Sequence, residues 1–316
     1  MTEYPIKKDS PTIVGIGIAT LDILVRLGTM PTWEKGCAAE AIAFDGGGMV
    51  GTALSAAVRL GVPAGFIGTV GAGAAGQVKL ASLVEFGVDV RHIQTRPEDE
   101  RQIVLVCVRQ SDGERTFTGV RGLGDQNLDP SHLPRDYITA AHYLLLDGFH
   151  SAAALVAAKW MRQAGKTVVL DAGKTSGPVG ESMRALVSQT DVLVCGEGFA
   201  PALTGCADRR EAGQAALQHG PRIVVQTEGA AGSYTTAADD EFHTPAFEVE
   251  VIDTTGAGDV FHGAYIVGLA KGYNLRDTAR FASAVAAIKC TGLGGRRPVP
   301  TFEKTTEFLA LHGSVL

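Results

Sequence analysis

The chain has 316 residues, 45% of them hydrophobic and 20% charged, a balance that supports a large buried core and argues against disorder. Its formal net charge is −6 and no basic cluster appears, which argues against a nucleic-acid partner; an anionic ligand would have to be met locally by backbone N–H groups, a metal ion or single Lys and Arg residues. The five cysteines are scattered and form no C-x-x-C pair, no apolar run is long enough to span a bilayer, and the opening MTEYPIKKDSPT lacks a signal-peptide core, so a cytoplasmic protein without membrane contact is expected.

In chain order, TIVGIGIATLDILVRL is expected as an apolar strand that turns at Gly15 and Gly17. CAAEAIAFDGGG suggests a short strand ending in glycines, and MVGTALSAAVRLG a helix stopped by Gly61. PAGFIGTVG reads as a strand and AAGQVKLASLVEFG as a helix. QIVLVCVRQSDGERTFTGV is two β-rich runs joined by Ser-Asp-Gly, a hairpin signal, and with the Cys37–Phe44 region it predicts a small separate sheet. From Tyr137 onward strand and helix patterns alternate, which predicts a mainly parallel sheet with helices on both faces. Ligands on such sheets sit at the carboxyl ends of the strands, and Asp22, Asp147, Asp171, Glu197 and Glu228 fall at or just past such ends.

Two motifs are set aside. Gly173-Lys174-Thr175 follows a strand, but Val168 stands where a phosphate-wrapping loop needs glycine. GIGIAT lacks the third glycine of a dinucleotide fingerprint, which disfavours a dehydrogenase. The run DGGGMVGTALSAAVRLG has two equal readings: glycines exposing N–H groups to a ligand, or an ordinary loop before a closely packed helix.

The stretch EVIDTTGAGDVFHGAY carries more. Gly256, Ala257 and Gly258 have almost no side chains, so their N–H groups can converge at a helix start and form an anion hole favoured by the helix dipole. Asp259 then stands in the first turn, placed to take a proton from a hydroxyl. A base beside an anion hole suits phosphoryl transfer. Helix capping would explain Asp259 alone, but not the Gly-Ala-Gly beside it.

DTTGAGDVFHGAY resembles the C-terminal signature of the ribokinase-like (PfkB) carbohydrate kinases, D-T-x-G-A-G-D, and GGGMVGTALSAAVRLG resembles their N-terminal signature. The order of the segments TLD, DGERT, LTG and VVQTEGAAGSY agrees over nearly the whole chain, and the C-terminal run is most similar to the sulfofructose kinase branch. The resemblance implies an α/β fold over residues 1–316 as one kinase domain. Its central, mostly parallel sheet is flanked by helices and carries a small β-sheet lid from about residues 27–44 and 101–120, through which many relatives dimerise.

The resemblance also implies roles. Asp259 would be the base, with Gly256, Ala257 and Gly258 as the anion hole. Asp22, Gly47, Gly48 and Thr52 would hold the sugar, with His150 either reaching the pocket or packing under a helix. Thr227, Gly229, Ala282 and Lys174 would line the ATP site. A monovalent cation such as K⁺ would sit by Asp253 and Thr255 with carbonyls from the 289–295 loop, including Lys289, Gly292 and Gly294; the alternative for Asp253 is a loop-bracing hydrogen bond.

The chain departs from the family pattern twice. Thr52 replaces a common Asn, and Gly196 and Phe199 replace the N-x-x-E pair, leaving Glu197 as the carboxylate for Mg²⁺. The expected function is an ATP-dependent sugar kinase acting on a hydroxyl, expected to be primary, of a small uncharged or weakly charged sugar. The alternatives are a nucleoside kinase of the same fold and a non-catalytic sugar or nucleotide sensor.

Overall fold

The computed structural model describes residues 10–122 and 127–313. It opens with β1 (Ile13–Ile16) and β2 (Thr20–Leu27), then β3 (Ala41–Gly47) leads into helix α1 (Met49–Arg59). β4 (Ala64–Ile67), β5 (Thr69–Ala72), α2 (Gly73–Val84) and β6 (Gln94–Asp99) precede a hairpin of β7 (Ile103–Arg109) and β8 (Arg115–Gly119). Helix α3 (Arg135–Ala140) then starts the alternating part: β9 (Tyr143–Leu146), α4 (Ser151–Gln163), β10 (Thr167–Ala172), α5 (Glu181–Val187), β11 (Val192–Gly196), α6 (Phe199–Thr204), α7 (Arg209–Leu217) and β12 (Ile223–Thr227). Strands β13 (Ser233–Ala237) and β14 (Glu241–Thr244) and helices α8 (Ala257–Ala270), α9 (Leu275–Cys290) and α10 (Phe302–Leu311) complete it.

The central sheet has eight strands in the order β14-β13-β12-β11-β10-β9-β1-β4. Six run parallel, from β12 across to β4, and β13 and β14 close one edge antiparallel. Its parallel strands are mostly apolar because both faces are covered. Side chains alternate: Leu145, Val169, Val194 and Val225 join a core with α1, α8 and α9. Leu144, Leu170, Leu193 and Val224 join a second core with α4, α6 and α7 on the other face.

The second sheet, β3-β2-β7-β8, is the expected lid with shifted borders. Its first strand begins at Thr20, seven residues before the expected border at 27, and residues 28–40 form no strand at all. Of the turns expected at Gly15 and Gly17, the one at Gly17 opens the break between β1 and β2, whereas Gly15 lies within β1. At the break, the N–H of Ile18 donates to the Asp147 carboxylate at 2.7 Å, which satisfies it outside any ladder while the chain passes from one sheet to the other. The short parallel pair β5–β6 was not foreseen, because Gln94–Asp99 is a polar run containing a proline.

The lid's two faces differ. Leu24, Val106 and Val108 turn inward as a small buried cluster. Ile42, Phe44 and Leu105 are exposed on the outer face, where Phe44 and Leu105 both pair with Ile23 across neighbouring strands.

Candidate active site

A cavity of about 450 Å³ lies between the lid and the central sheet. Lid residues Val104 and Phe117 wall one side. Asp22, Gly47, Gly48 and Thr52 form the next side, and Thr255, Gly256 and Asp259 form the floor. Residues 20–52 and 255–259, far apart in sequence, therefore meet in one space. A neighbouring cavity of about 480 Å³ shares Met49 and Phe149 with it and reaches Gly173, Lys174 and Thr175 past β10.

Asp22 is buried and accepts from the Thr20 hydroxyl at 2.5 Å. Burial pushes its carboxyl up to about 6, against the Thr20 hydrogen bond and the charge of Arg296. Gly47 lies directly over it: any Cβ there would collide with the Asp22 carboxylate. Glycine at 47 is what lets the backbone and the carboxylate share the pocket wall.

Gly256 caps α8 in the left-handed region, φ 71°, a conformation open to glycine. The N–H groups of Gly256 and Gly258 have no partner among the described residues, but that of Ala257 donates to the Thr254 carbonyl at 3.2 Å. The expected three-amide hole is thus corrected to Gly256 and Gly258 at the helix start, with Ala257 closing the turn behind them.

Asp259 sits in the first turn of α8, half-buried at the cavity floor. Its carboxyl is pushed up to about 7, first by burial and then by the Asp171 carboxylate, while His262 pulls it down. Asp171 and His262 are both buried, with His262 Nδ1 2.6 Å from Asp171 Oδ2. Ligand atoms of Asp171, Asp259 and His262 lie within 4.8 Å of one another. His262 follows Asp259 by three residues, so the helix places both on one face. Sequence reading missed its role; the signal was a lone histidine in an otherwise apolar helix.

Arg296 was also missed. It is fully buried and joins three segments: Nη1 donates to Ser82 Oγ at 2.9 Å, Nη2 to the Gly47 carbonyl, and Nε to Thr52 Oγ1 at 3.4 Å. Its own N–H donates to Asp45 Oδ2 at 3.0 Å. Thr52 thus lines the cavity with its hydroxyl accepting from a guanidinium.

Other expected residues fall outside the cavity. His150 is buried, and its Nδ1 accepts the Leu128 N–H at 3.2 Å, so it packs beneath the start of α4 instead of reaching the sugar; its neighbour Phe149 lines the cavity. Ala282 is buried in the core with α8, too deep to touch a ligand. Thr227 donates to the Cys195 carbonyl at 3.3 Å, and Gly229 is exposed in a short turn; neither lines the two cavities. Lys174 does line the second cavity, but it is exposed and paired with Glu197 at 2.6 Å. That ion pair takes up the one carboxylate expected for Mg²⁺. Glu197 is not part of the group of Asp171, Asp259 and His262, whose ligand atoms lie close together.

The expected K⁺ position does not fit an ion. Asp253 is fully buried; Oδ1 accepts the Thr255 N–H and Oδ2 the Gly294 N–H, both at 2.8 Å. Its carbonyl accepts from the Nζ of Lys289, also fully buried, at 2.8 Å. Lys289 therefore enters this loop through its ammonium as well as its backbone, and Gly292 donates to the Lys289 carbonyl at 3.3 Å.

A family model for the pfkB family carbohydrate kinases matches residues 15–302. The chain belongs to that family. It is an ATP-dependent carbohydrate kinase by membership. The aminoimidazole riboside kinase of Salmonella typhimurium is 30% identical over 80% of this chain and 84% of its own length. The ribokinase of Haemophilus influenzae is 28% identical over the same shares, 80% and 84%. Among solved structures, a putative ribokinase from Agrobacterium tumefaciens superposes with a TM-score of 0.84 at 27% identity, over 97% of this chain and 100% of that one. The pfkB kinase is thus ribokinase-like in fold. No helix among its described residues is long and apolar enough to cross a membrane.

Proposed function

We propose that this kinase transfers the γ-phosphate of ATP, carried with Mg²⁺, to a hydroxyl of a small sugar lacking a strong negative charge. The supporting observation is that Asp22 and Asp259 share one cavity, with the N–H groups of Gly256 and Gly258, unpaired among the described residues, next to the second carboxylate in the chain. Asp22 accepts hydrogen bonds from sugar hydroxyls and fixes their orientation. Asp259 takes the proton as the hydroxyl oxygen attacks phosphorus, the bond to the ADP oxygen breaks, and the two amides hold the growing negative charge. The products are a sugar phosphate ester and ADP. Phe117 and Val104 cover the sugar from the lid side and keep water from the phosphate.

A sugar already carrying phosphate or sulfonate would need a cation in this cavity. Lys35, Arg101 and Arg121 are exposed outside it, and Arg115 donates to Thr254 at 2.8 Å. Relatives act on other classes: one is named an ATP-dependent ribose-1-phosphate kinase from Halopiger xanaduensis, 25% identical over 94% of this chain and 98% of its own length. Solved relatives of the same fold include an Arabidopsis thaliana ribokinase complexed with ribose and ATP, 24% identical with a TM-score of 0.80. The second reading is a nucleoside kinase, favoured by the similarity to the riboside kinase.

ADP release measured with ribose, fructose, other ketoses, a sugar phosphate and adenosine separates these. Turnover with a neutral sugar is the expected result. Turnover confined to adenosine selects the second reading, and ATP binding without sugar-dependent turnover points to a sensor. The apolar outer face with Ile42, Phe44 and Leu105 is the surface through which two cytoplasmic copies would pair.

A further inference from the structure

The K⁺ position identifies a feature of this chain's own chemistry, one that rests on the kinase reading. We propose that the side-chain ammonium of Lys289 is a built-in monovalent cation behind the anion-hole loop, making catalysis independent of added K⁺.

The geometry assigns it that place. Asp253, Thr254 and Thr255 lead directly into Gly256, which lines the cavity, so whatever fixes residues 253–255 fixes the start of α8 and its Gly256 and Gly258 amides. The loop is held from three sides. The N–H groups of Ile252 and Asp253 donate to the Cys290 carbonyl at 2.9 and 3.2 Å. The lid hairpin takes Thr254, whose N–H and hydroxyl both donate to the Gly113 carbonyl, at 3.1 and 2.9 Å. Lys289 Nζ holds the Asp253 carbonyl from within.

Charge completes the case. The Asp253 carboxylate is fully buried and needs a positive charge nearby. Lys289 supplies it from the last turn of α9, where a cation also suits the helix dipole. An ammonium is a compact point charge with three donors, able to serve carbonyl oxygens that would otherwise ligate an ion. With both Asp253 oxygens taken by amides and its carbonyl taken by Lys289, an added K⁺ would have to displace the ammonium or share a buried shell with it. Like-charge repulsion in a buried site opposes that.

The full chain is exchanged into choline chloride and compared with KCl and NH₄Cl at equal ionic strength. Melting temperature is read without substrate, and ADP release with the sugar that the panel selects. For the wild type, melting should agree to within about 1 °C among the salts, because an ion that binds the folded state would raise it. ADP release should agree to within about twofold. Lys289→Ala leaves space for an ion: it should lose at least about tenfold in choline chloride and recover in NH₄Cl or KCl, with a matching rise in melting temperature. A wild type that melts several degrees higher in KCl, or works about tenfold faster there, overturns the proposal. So does a folded Lys289→Ala with the wild-type rate in choline chloride, or one that no cation rescues. If that variant does not fold, the wild-type comparison decides alone. If no sugar supports turnover, the kinase reading fails, and the melting comparison still decides this one.

Discussion

Two carboxylates, alike in chemistry, are set apart by their surroundings. Asp259 works as a base in its ionised form, and burial with Asp171 nearby puts its pKa at about 7. Turnover should therefore be flat above that pH and fall about tenfold for each unit below it, as a kcat profile from pH 5 to 9 would show. Asp259→Asn should lower kcat by at least about a thousandfold with ATP and sugar binding largely kept; near-wild-type turnover would remove Asp259 as the base. Asp22 titrates lower, at about 6, and as an acceptor for sugar hydroxyls it too must be ionised. The apparent affinity for sugar should weaken as pH drops through 6, seen as a rising KM separable from the kcat limb. His262 pairs with a buried Asp171, so His262→Gln leaves that carboxylate without its partner and should cost about 3–5 kcal/mol of stability in denaturant unfolding.

At the scale of elements, the β7–β8 hairpin does two tasks. Its strands roof the cavity, and its tip grips the loop before α8 through Gly113 and Arg115. Gly113 has φ 71°, and a Cβ there would meet Val251 at 2.8 Å and the backbone of residues 252 and 253 at 3.0 and 3.1 Å. Gly113→Ala should cost about 1–2 kcal/mol and lower kcat by displacing the loop that carries the amides, without changing the central sheet. Steady-state kinetics alongside thermal unfolding would separate a loop effect from general destabilisation. None of this gripping was legible in the sequence. The hairpin itself was, from Ser-Asp-Gly between β-rich runs, because a turn is a local event. The contact between residues 113 and 254 is not local, and no spacing rule reports it.

For the whole molecule, the same division explains what the sequence revealed. The parallel sheet and its covering helices follow from alternation and from strands apolar on both faces. The Gly256–Asp259 turn was legible because four consecutive residues carry its geometry. Arg296 was not: its partners Gly47, Thr52 and Ser82 are more than two hundred residues away. Within the run from Thr12 to Leu27 the glycines marked a turn, but not that the chain leaves one sheet for another there, which the distant contact of Ile18 with Asp147 reveals. The lid's outer face carries the prediction at this scale. On the proposed pairing through this face, the wild type should run as a dimer in light scattering and Phe44→Asp as a monomer, with the stability of the chain within about 1 kcal/mol of wild type, since Phe44 is 55% exposed in the isolated chain.

The contact between Lys289 and Asp253 has a consequence for how such an enzyme meets its surroundings. A diffusing ion fills its site in proportion to its concentration, so a rate that depends on it follows every swing in salinity. A charge tethered to α9 has a fixed local supply and no dissociation constant. Ionic composition then drops out of the rate law, and the demand for a cation moves from the solvent to the folding of the chain itself.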